Sequence, residues 1–286
     1  MANTKDSYCQ ICGGLTLQSV VYEVDGYPIF KCGSCDVGRV DIEHFDPSEY
    51  YDSGYFLGKY KHSYIDYLAS EETLTREFKR TVEFVRANGP SHGKLLEIGC
   101  AYGFFLQEAS RHYEVFGVEI VEDAASYCKS SGLSSVKSGV LEREDLARIG
   151  PLDVVVMLDV IEHIDNVEET IEMIAGSLRM GGSFVVTTGD WGSLLARAMG
   201  PKWRLMAPPM HLWYFSPENL MKLGHRFGLK MQSYSHPWKI VPLDLAIQQA
   251  GIMAGIKDKV RCPAWTKTLG IPANLYDAFR MVFLKA

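Results

Sequence analysis

Apolar residues are not spread evenly along the chain. They are dense in "KLLEI", and the density returns in "EVFGVEI", "LDVVVML" and "SFVVTT". Short, nearly continuous apolar runs of this kind predict strands covered on both faces, as in a parallel sheet. Between them "FFLQEASRHY", "VEDAASYCKSSG" and "NVEETIEMIAGSLRM" carry helical spacing. The alternation predicts βαβ units in a doubly wound α/β sheet, with ligand bound at the carboxyl ends of the strands. Upstream, Tyr67, Leu74, Phe78, Val82 and Val85 predict an amphipathic helix ending at Asn88-Gly89-Pro90. "GLKMQSYS" and the terminal "FRMVFLKA" predict two more strands.

The first forty residues follow another rule. Cys9, Cys12, Cys32 and Cys35 stand in the pattern C-x2-C-x19-C-x2-C, which reads as a zinc site. Gly13, Gly33 and Gly38 ease the turns beside the pairs. Four thiolates leave no open coordination position, so the metal is structural and stands apart from the chemistry. "LQSVVYEVDGYPIFKC" predicts a hairpin turning at Asp25-Gly26, and the whole is a zinc ribbon. A redox C-x-x-C accounts for one pair but not for two flanking a hairpin. Cys100, Cys128 and Cys262 are expected to be buried as small apolar residues.

"LLEIGCAYGFFL" has the look of a dinucleotide loop short of a glycine, because Phe104 stands where the third glycine would pack helix against strand. The loop resembles motif I of class I S-adenosylmethionine-dependent methyltransferases, with Glu97, Gly99 and Gly103 in E-x-G-x-x-x-G and Ala101 where that family often has a further glycine. S-adenosylmethionine has no pyrophosphate, so two glycines suffice for backbone to approach its amino-acid and ribose parts. Glu119 closes the second strand, where an acidic side chain accepts hydrogen bonds from both ribose hydroxyls. Ile120 beside it would cover an adenine face. After the third strand Val140 falls where the family frequently has an acid for the adenine amino group. Backbone of Val140 or Leu141, or the Glu142 side chain, would take that role.

In "MLDVIEHIDN", Asp159, Glu162 and His163 fall at or just beyond the end of the fourth strand. Asp159 is expected to border the cofactor, with Glu162 and His163 fixing the turn. The D-x-x-E-H spacing also resembles the quinone-biosynthesis O-methyltransferases, where the corresponding segment is associated with a divalent cation. "HLWYFSP" resembles a segment common in methyltransferases of this branch, and it places His211 where an acceptor could be deprotonated or a lid capped. His211 and His163 are thus the candidate bases. Trp191, Trp203, Trp213 and Tyr214 are expected to wall the acceptor, and "WGSLLARAMGPKWRLM" to form a lid or an interfacial helix. Tyr50, Tyr51, Tyr55, Tyr60 and Tyr64 either cover a ligand pocket or pack the connection onto the main domain.

The resemblance implies a Rossmann-like seven-stranded methyltransferase sheet with helices on both faces. It divides the chain into a zinc ribbon (1–40), a linker with N-terminal helices (41–90) and a methyltransferase domain (91–286). An insert at about 237–277 would shape the substrate site or a homodimer interface. Net charge is −6 over 286 residues, which disfavours nucleic acid as a partner. The opening residues lack the apolar core of a secretory signal, so a cytoplasmic protein is expected. Trp238 to Ile256, the most membrane-like window, is broken by Lys239, Pro242, Asp244, Gln248 and Gln249. The function implied is methyl transfer from S-adenosylmethionine to a small-molecule acceptor, a sugar, polyketide-like or other metabolite hydroxyl or carbon. The alternatives are an RNA methyltransferase recruited by the ribbon, a quinone-type O-methyltransferase using a divalent cation, and a cofactor-binding module without turnover.

Overall fold

The structure, a computed structural model, describes residues 4–42, 44–57, 66–255, 261–263 and 265–286. The chain opens with four antiparallel strands, β1 (Thr4–Cys9), β2 (Gly14–Val24), β3 (Tyr27–Cys32) and β4 (Gly38–Val40). β2 and β3 turn at Asp25 and Gly26, both left-handed at φ 51° and 86°, which matches the twist of a tight hairpin. β1 is an addition to the expected hairpin. Its mostly polar sequence carries no burial signal, and it is a strand because it pairs with β2 from Thr4↔Ser19 to Cys9↔Gly14.

A helix, α1 (Glu71–Asn88), buries Leu74, Val82 and Val85. Then follow β5 (Gly93–Ile98), α2 (Phe104–Ala109), β6 (Tyr113–Glu119), α3 (Glu122–Ser130), β7 (Val136–Ser138), α4 (Arg143–Ile149) and β8 (Leu152–Leu158). After them come α5 (Val167–Ser177), β9 (Leu178–Gly189), α6 (Leu194–Met199), β10 (Trp213–Tyr214), α7 (Pro217–Arg226) and β11 (Leu229–Ser235). The chain ends with β12 (Lys239–Pro242), α8 (Leu243–Met253), α9 (Trp265–Thr268), β13 (Gly270–Ala273) and β14 (Ala278–Lys285).

Seven strands form the large sheet in the order β11-β14-β9-β8-β5-β6-β7. β7, β6, β5, β8 and β9 run parallel, and β14 is antiparallel to both β9 and β11. The apolar runs explain this sheet's depth: Leu95, Leu96, Val154, Val155, Val156 and Met157 are fully buried, as strands covered on both faces require. α5 stops at Ser177, earlier than its sequence pattern suggests, because Leu178 already pairs with Leu152 of β8.

The small sheet has five strands, β1-β2-β3-β4-β10. Its last strand comes from the far half of the chain, pairing Trp213 with Arg39 and Tyr214 with Gly38. A Cβ on Gly38 would lie 3.0 Å from Tyr214 Cβ. Gly38 therefore serves the approach of β10, beyond the turn expected of it. Cys9, Ile11, Cys32 and Val37 share one apolar cluster with Leu212, Trp213, Phe215 and Leu220. Among the described residues, no helix is long and apolar enough to cross a membrane.

Candidate active site

A cavity of about 610 Å³ opens at the carboxyl ends of β5, β6 and β8, where successive strands depart to opposite sides of β5. Such a switch point is where an open α/β sheet leaves room for a ligand. One half is built by the loop after β5. Gly99, Ala101 and Gly103 are all left-handed, at φ 74°, 47° and 76°. A Cβ on Gly99 would stand 2.5 Å from Val160 Cγ2, so a side chain there fails on both conformation and space. Gly103 does not line the cavity: a Cβ there would meet Leu133 Cδ1 at 2.5 Å and Cys128 Sγ at 2.8 Å. Its work is to let α2 begin close against α3. Ala101 holds the strained φ because its backbone N–H donates to Glu119 Oε2 at 2.7 Å.

Glu119 also accepts from the Val121 N–H at Oε1, 2.9 Å away. Burial raises its carboxyl above the usual value, and the backbone donors pull the other way. Each oxygen retains a lone pair, and the residue lines the cavity with Ile120. Glu97 is different. It is 3% exposed, it lines the cavity, and its Oε2 is buried with no partner. Burial first, then Cys128 and Glu119, push this carboxyl well above the ordinary range. An orphaned acceptor of this kind is the place for a ligand's cationic donor. Val140 and Leu141 line the wall beyond β7, but Glu142 does not reach it. Its side chain caps α4 and binds Lys137 at 2.5 Å, so the adenine role offered to it is withdrawn.

The other half is assembled from distant segments. Asp159, left-handed at φ 57°, accepts from Thr187 Oγ1 at 2.9 Å and pairs with Lys239 Nζ at 2.5 Å. Burial raises its carboxyl, but Lys239 outweighs that and holds it below the usual range. Glu162, 5% exposed, accepts from Thr188 Oγ1 at 2.9 Å. Burial, then the Asp159 charge, raises it to about 8. His163 and His211 meet edge to face with ring centroids 4.8 Å apart. His163 Nδ1 lies 2.8 Å from the Met210 carbonyl, and His211 Nδ1 lies 2.8 Å from the Leu205 carbonyl. A carbonyl only accepts, so each Nδ1 carries the hydrogen and each Nε2 keeps the lone pair. Burial lowers the His163 pKa, favouring that neutral form. The Tyr51 hydroxyl sits 2.6 Å from His163 Nδ1 and donates to the Met210 carbonyl at 3.0 Å.

The expected aromatic wall is elsewhere. Trp203, Trp213 and Tyr214 are each 2% exposed and do not line this cavity. The pairing of β10 with β4 encloses Trp213 and Tyr214, while Trp203 donates to Asp277 Oδ2 at 2.9 Å. Trp191 stacks on Tyr214 and lines a second cavity together with Trp203. The rings that do wall the main cavity are Tyr51, Tyr55, Phe56 and Tyr67, from the connection and the turn before α1, together with Phe78 of α1 and Phe105 of α2. Tyr60 and Tyr64 lie outside the described residues. From the insert, Lys239, Leu245, Gln249 and Asp277 join the wall. The sequence assigned Arg204 to a lid or interfacial helix and Lys239 to a break in an apolar window, and it did not place either of them, or Arg280, on this wall. For Arg280 the signal was present, a charge inside the apolar strand "FRMVFL".

The four N-terminal cysteines converge, their sulfurs all within 4.8 Å of one another. Cys9 Sγ and Cys35 Sγ are 3.8 Å apart, and Cys12 Sγ and Cys32 Sγ 3.9 Å. The edge of a tetrahedron with 2.3 Å zinc–sulfur bonds is about 3.8 Å. Lys222 Nζ reaches Cys12 Sγ at 3.3 Å. The cluster is tied to the histidines through main chain: Val40 N–H donates to the Leu212 carbonyl at 2.9 Å, and Leu212 N–H to the Glu162 carbonyl at 2.8 Å.

A sheet of this order, with an acid-and-glycine loop at its switch point and a carboxylate closing the neighbouring strand, is the arrangement expected of a methyltransferase domain. The model of the methyltransferase-domain family matches residues 70–234, more than half of the chain, and the chain belongs to that family. Among curated relatives, the ubiquinone biosynthesis O-methyltransferase of Rickettsia felis is 30% identical over 108 residues, covering 35% of this chain and 43% of the relative. The enzyme of that name from Rickettsia conorii is 26% identical over 143 residues, covering 46% and 49%. The chain thus spans less than half the length of these relatives. Among solved structures, a candidate methyltransferase from Bacillus halodurans C-125 superposes with a TM-score of 0.51 at 11% identity, over 72% of this chain and 98% of that one. That likeness is one of fold.

Proposed function

We propose that this protein transfers a methyl group from S-adenosylmethionine to a small-molecule acceptor, with Glu97, Gly99, Ala101, Glu119, Ile120 and Asp159 holding the cofactor. The buried, partnerless oxygen of Glu97 carries the reading, because the cofactor's ammonium would complete it. When bound, S-adenosylmethionine supplies an electrophilic methyl on a sulfonium. Glu119 orients the ribose with the lone pairs its backbone donors leave, and Gly103 supports the loop from behind. His211 Nε2 takes the acceptor proton, and His163, edge-on to it, is the second candidate base. The enclosing tyrosines exclude water and hold the acceptor against the donor. A structural zinc on Cys9, Cys12, Cys32 and Cys35 fits the sulfur spacing and fixes the small sheet.

The names of the curated relatives point to phenolic oxygen as the first acceptor to test. The measurement is S-adenosylhomocysteine release with a panel of phenols, sugars and keto compounds, in wild type and in His211→Ala, His163→Ala and Glu119→Ala. Turnover untouched by either histidine change removes the base assignment, and no turnover with any acceptor favours a binding module. A second reading has its own observation: donor atoms of Glu162, His163 and His211 lie within 4.8 Å of one another, a set suited to a divalent cation. Turnover abolished by EDTA dialysis at unchanged zinc content and restored by magnesium or manganese would support it.

A further inference from the structure

Among the described residues, three side chains with fixed positive charge line the cavity: Arg204, Lys239 and Arg280. Two are already matched. Arg204 grips Asp277 with two bonds of 2.8 Å and reaches Gln249 Oε1 at 3.2 Å, and Lys239 pairs with Asp159. The Arg280 side chain has neither an ion pair nor a hydrogen bond within the described chain. Its Nε is buried with no partner, and its guanidinium carbon lies 3.4 Å from the centre of the Phe84 ring. The carboxylate whose charge reaches it is Glu77, which lies outside ion-pair contact and accepts from the Ile240 N–H at 2.8 Å. Burial lowers the guanidinium to about 10, a measure of how little compensates its charge.

The location gives the charge a use. Arg280 pairs in register with Thr187, the residue that bonds Asp159, and with Ser235, whose Oγ is also buried without a partner. It therefore sits on the α1 side of the sheet, level with Thr187 and the Asp159 that Thr187 bonds, and three strands from the one that carries Glu97. Burying a guanidinium is costly unless something anionic meets it. We propose that Arg280 determines acceptor specificity by binding an anionic group, a carboxylate or phosphate, carried by the acceptor; this rests on the transferase reading of the cavity. A guanidinium offers two parallel N–H donors to either anion, and Phe84 holds its plane.

The test uses the full-length protein, saturated with S-adenosylhomocysteine, titrated calorimetrically with benzoate, phenyl phosphate and neutral benzamide. In wild type at least one anion should bind roughly tenfold or more tighter than benzamide. Arg280→Met keeps the aliphatic stem on Phe84 and should bring the preference to within about threefold; Arg280→Lys should keep part of it. Affinity for S-adenosylhomocysteine, unchanged across the variants, is the control for folding. The order of benzoate and phenyl phosphate tells carboxylate from phosphate. No anion preference in wild type, or a preference undiminished in Arg280→Met, overturns the proposal. An Arg280-dependent preference in a protein that does not bind S-adenosylhomocysteine would sink the transferase reading, and with it the acceptor role, leaving Arg280 as an anion site alone.

Discussion

Glu97, Gly99, Ala101 and Glu119 come from one βαβ unit, whereas Tyr51, His163, Arg204, His211 and Lys239 reach the same cavity from four separate stretches of chain. The first group is held by bonds within its own unit, such as that from the Ala101 N–H to the Glu119 carboxylate. The second depends on the small sheet, because Leu212, next to His211, is bonded through its own peptide groups to both Val40 and Glu162. Cofactor binding should therefore survive damage to the small sheet, and turnover should not.

The strongest way to break this contrast is to take away the zinc proposed for the four cysteines. Cys9→Ser with Cys12→Ser, or chelation under mild denaturant, is expected to abolish measurable turnover, since a structural zinc contributes folding free energy outright. Calorimetric affinity for S-adenosylhomocysteine should stay within about threefold. If affinity falls in step with turnover, the two halves are one unit. His211→Ala tests the histidine half alone, with kcat expected to drop by roughly 10²- to 10⁴-fold at unchanged cofactor affinity. Glu119→Ala tests the other half. It should weaken S-adenosylhomocysteine binding roughly 10- to 100-fold, through lost charged hydrogen bonds and a freed Ala101 N–H, with kcat at saturating cofactor little altered.

The smallest effect sharpens the role of Glu97. Its carboxyl sits well above the ordinary value of 4.5 in the folded chain, so the folded state holds a proton that the unfolded state loses first. Stability from this group is full below 4.5 and is lost as pH rises through the folded value. A cofactor ammonium needs the ionised form, so S-adenosylhomocysteine affinity should rise several-fold as pH is raised from 4.5 through the point where the buried Glu97 ionises. Glu97→Gln should bind more weakly, show a flat profile over that range and lack the stability slope. A wild-type profile as flat as the variant's would remove Glu97 from the ammonium site.

What could be read beforehand follows the same division. The strands from Lys94 to Thr188 announce themselves because both faces are buried, and the loop because its glycines and acids lie within one unit. The aromatic rim could not be placed this way. Trp213 and Tyr214 look like pocket residues in a line of sequence, yet their surroundings are decided by pairing with a strand more than 170 positions away. Tyr51 was legible only as one tyrosine among several, since its partner His163 lies 112 positions along the chain. For Arg280 the charge inside an apolar strand was visible but its isolation was not: period and composition say what a strand buries, but not whether a charge within it finds a counter-charge.

The two-residue strand β10 has a practical consequence. Remove residues 1–40 and the remaining chain has an open main-chain edge at Trp213 and Tyr214, beside the uncovered side chains of Leu212, Phe215 and Leu220. Such a surface is sticky toward its own copies. The trimmed protein would be recovered as aggregate where the intact chain stays dispersed, so the small sheet cannot be treated as a detachable tag when the catalytic part is transplanted or shortened.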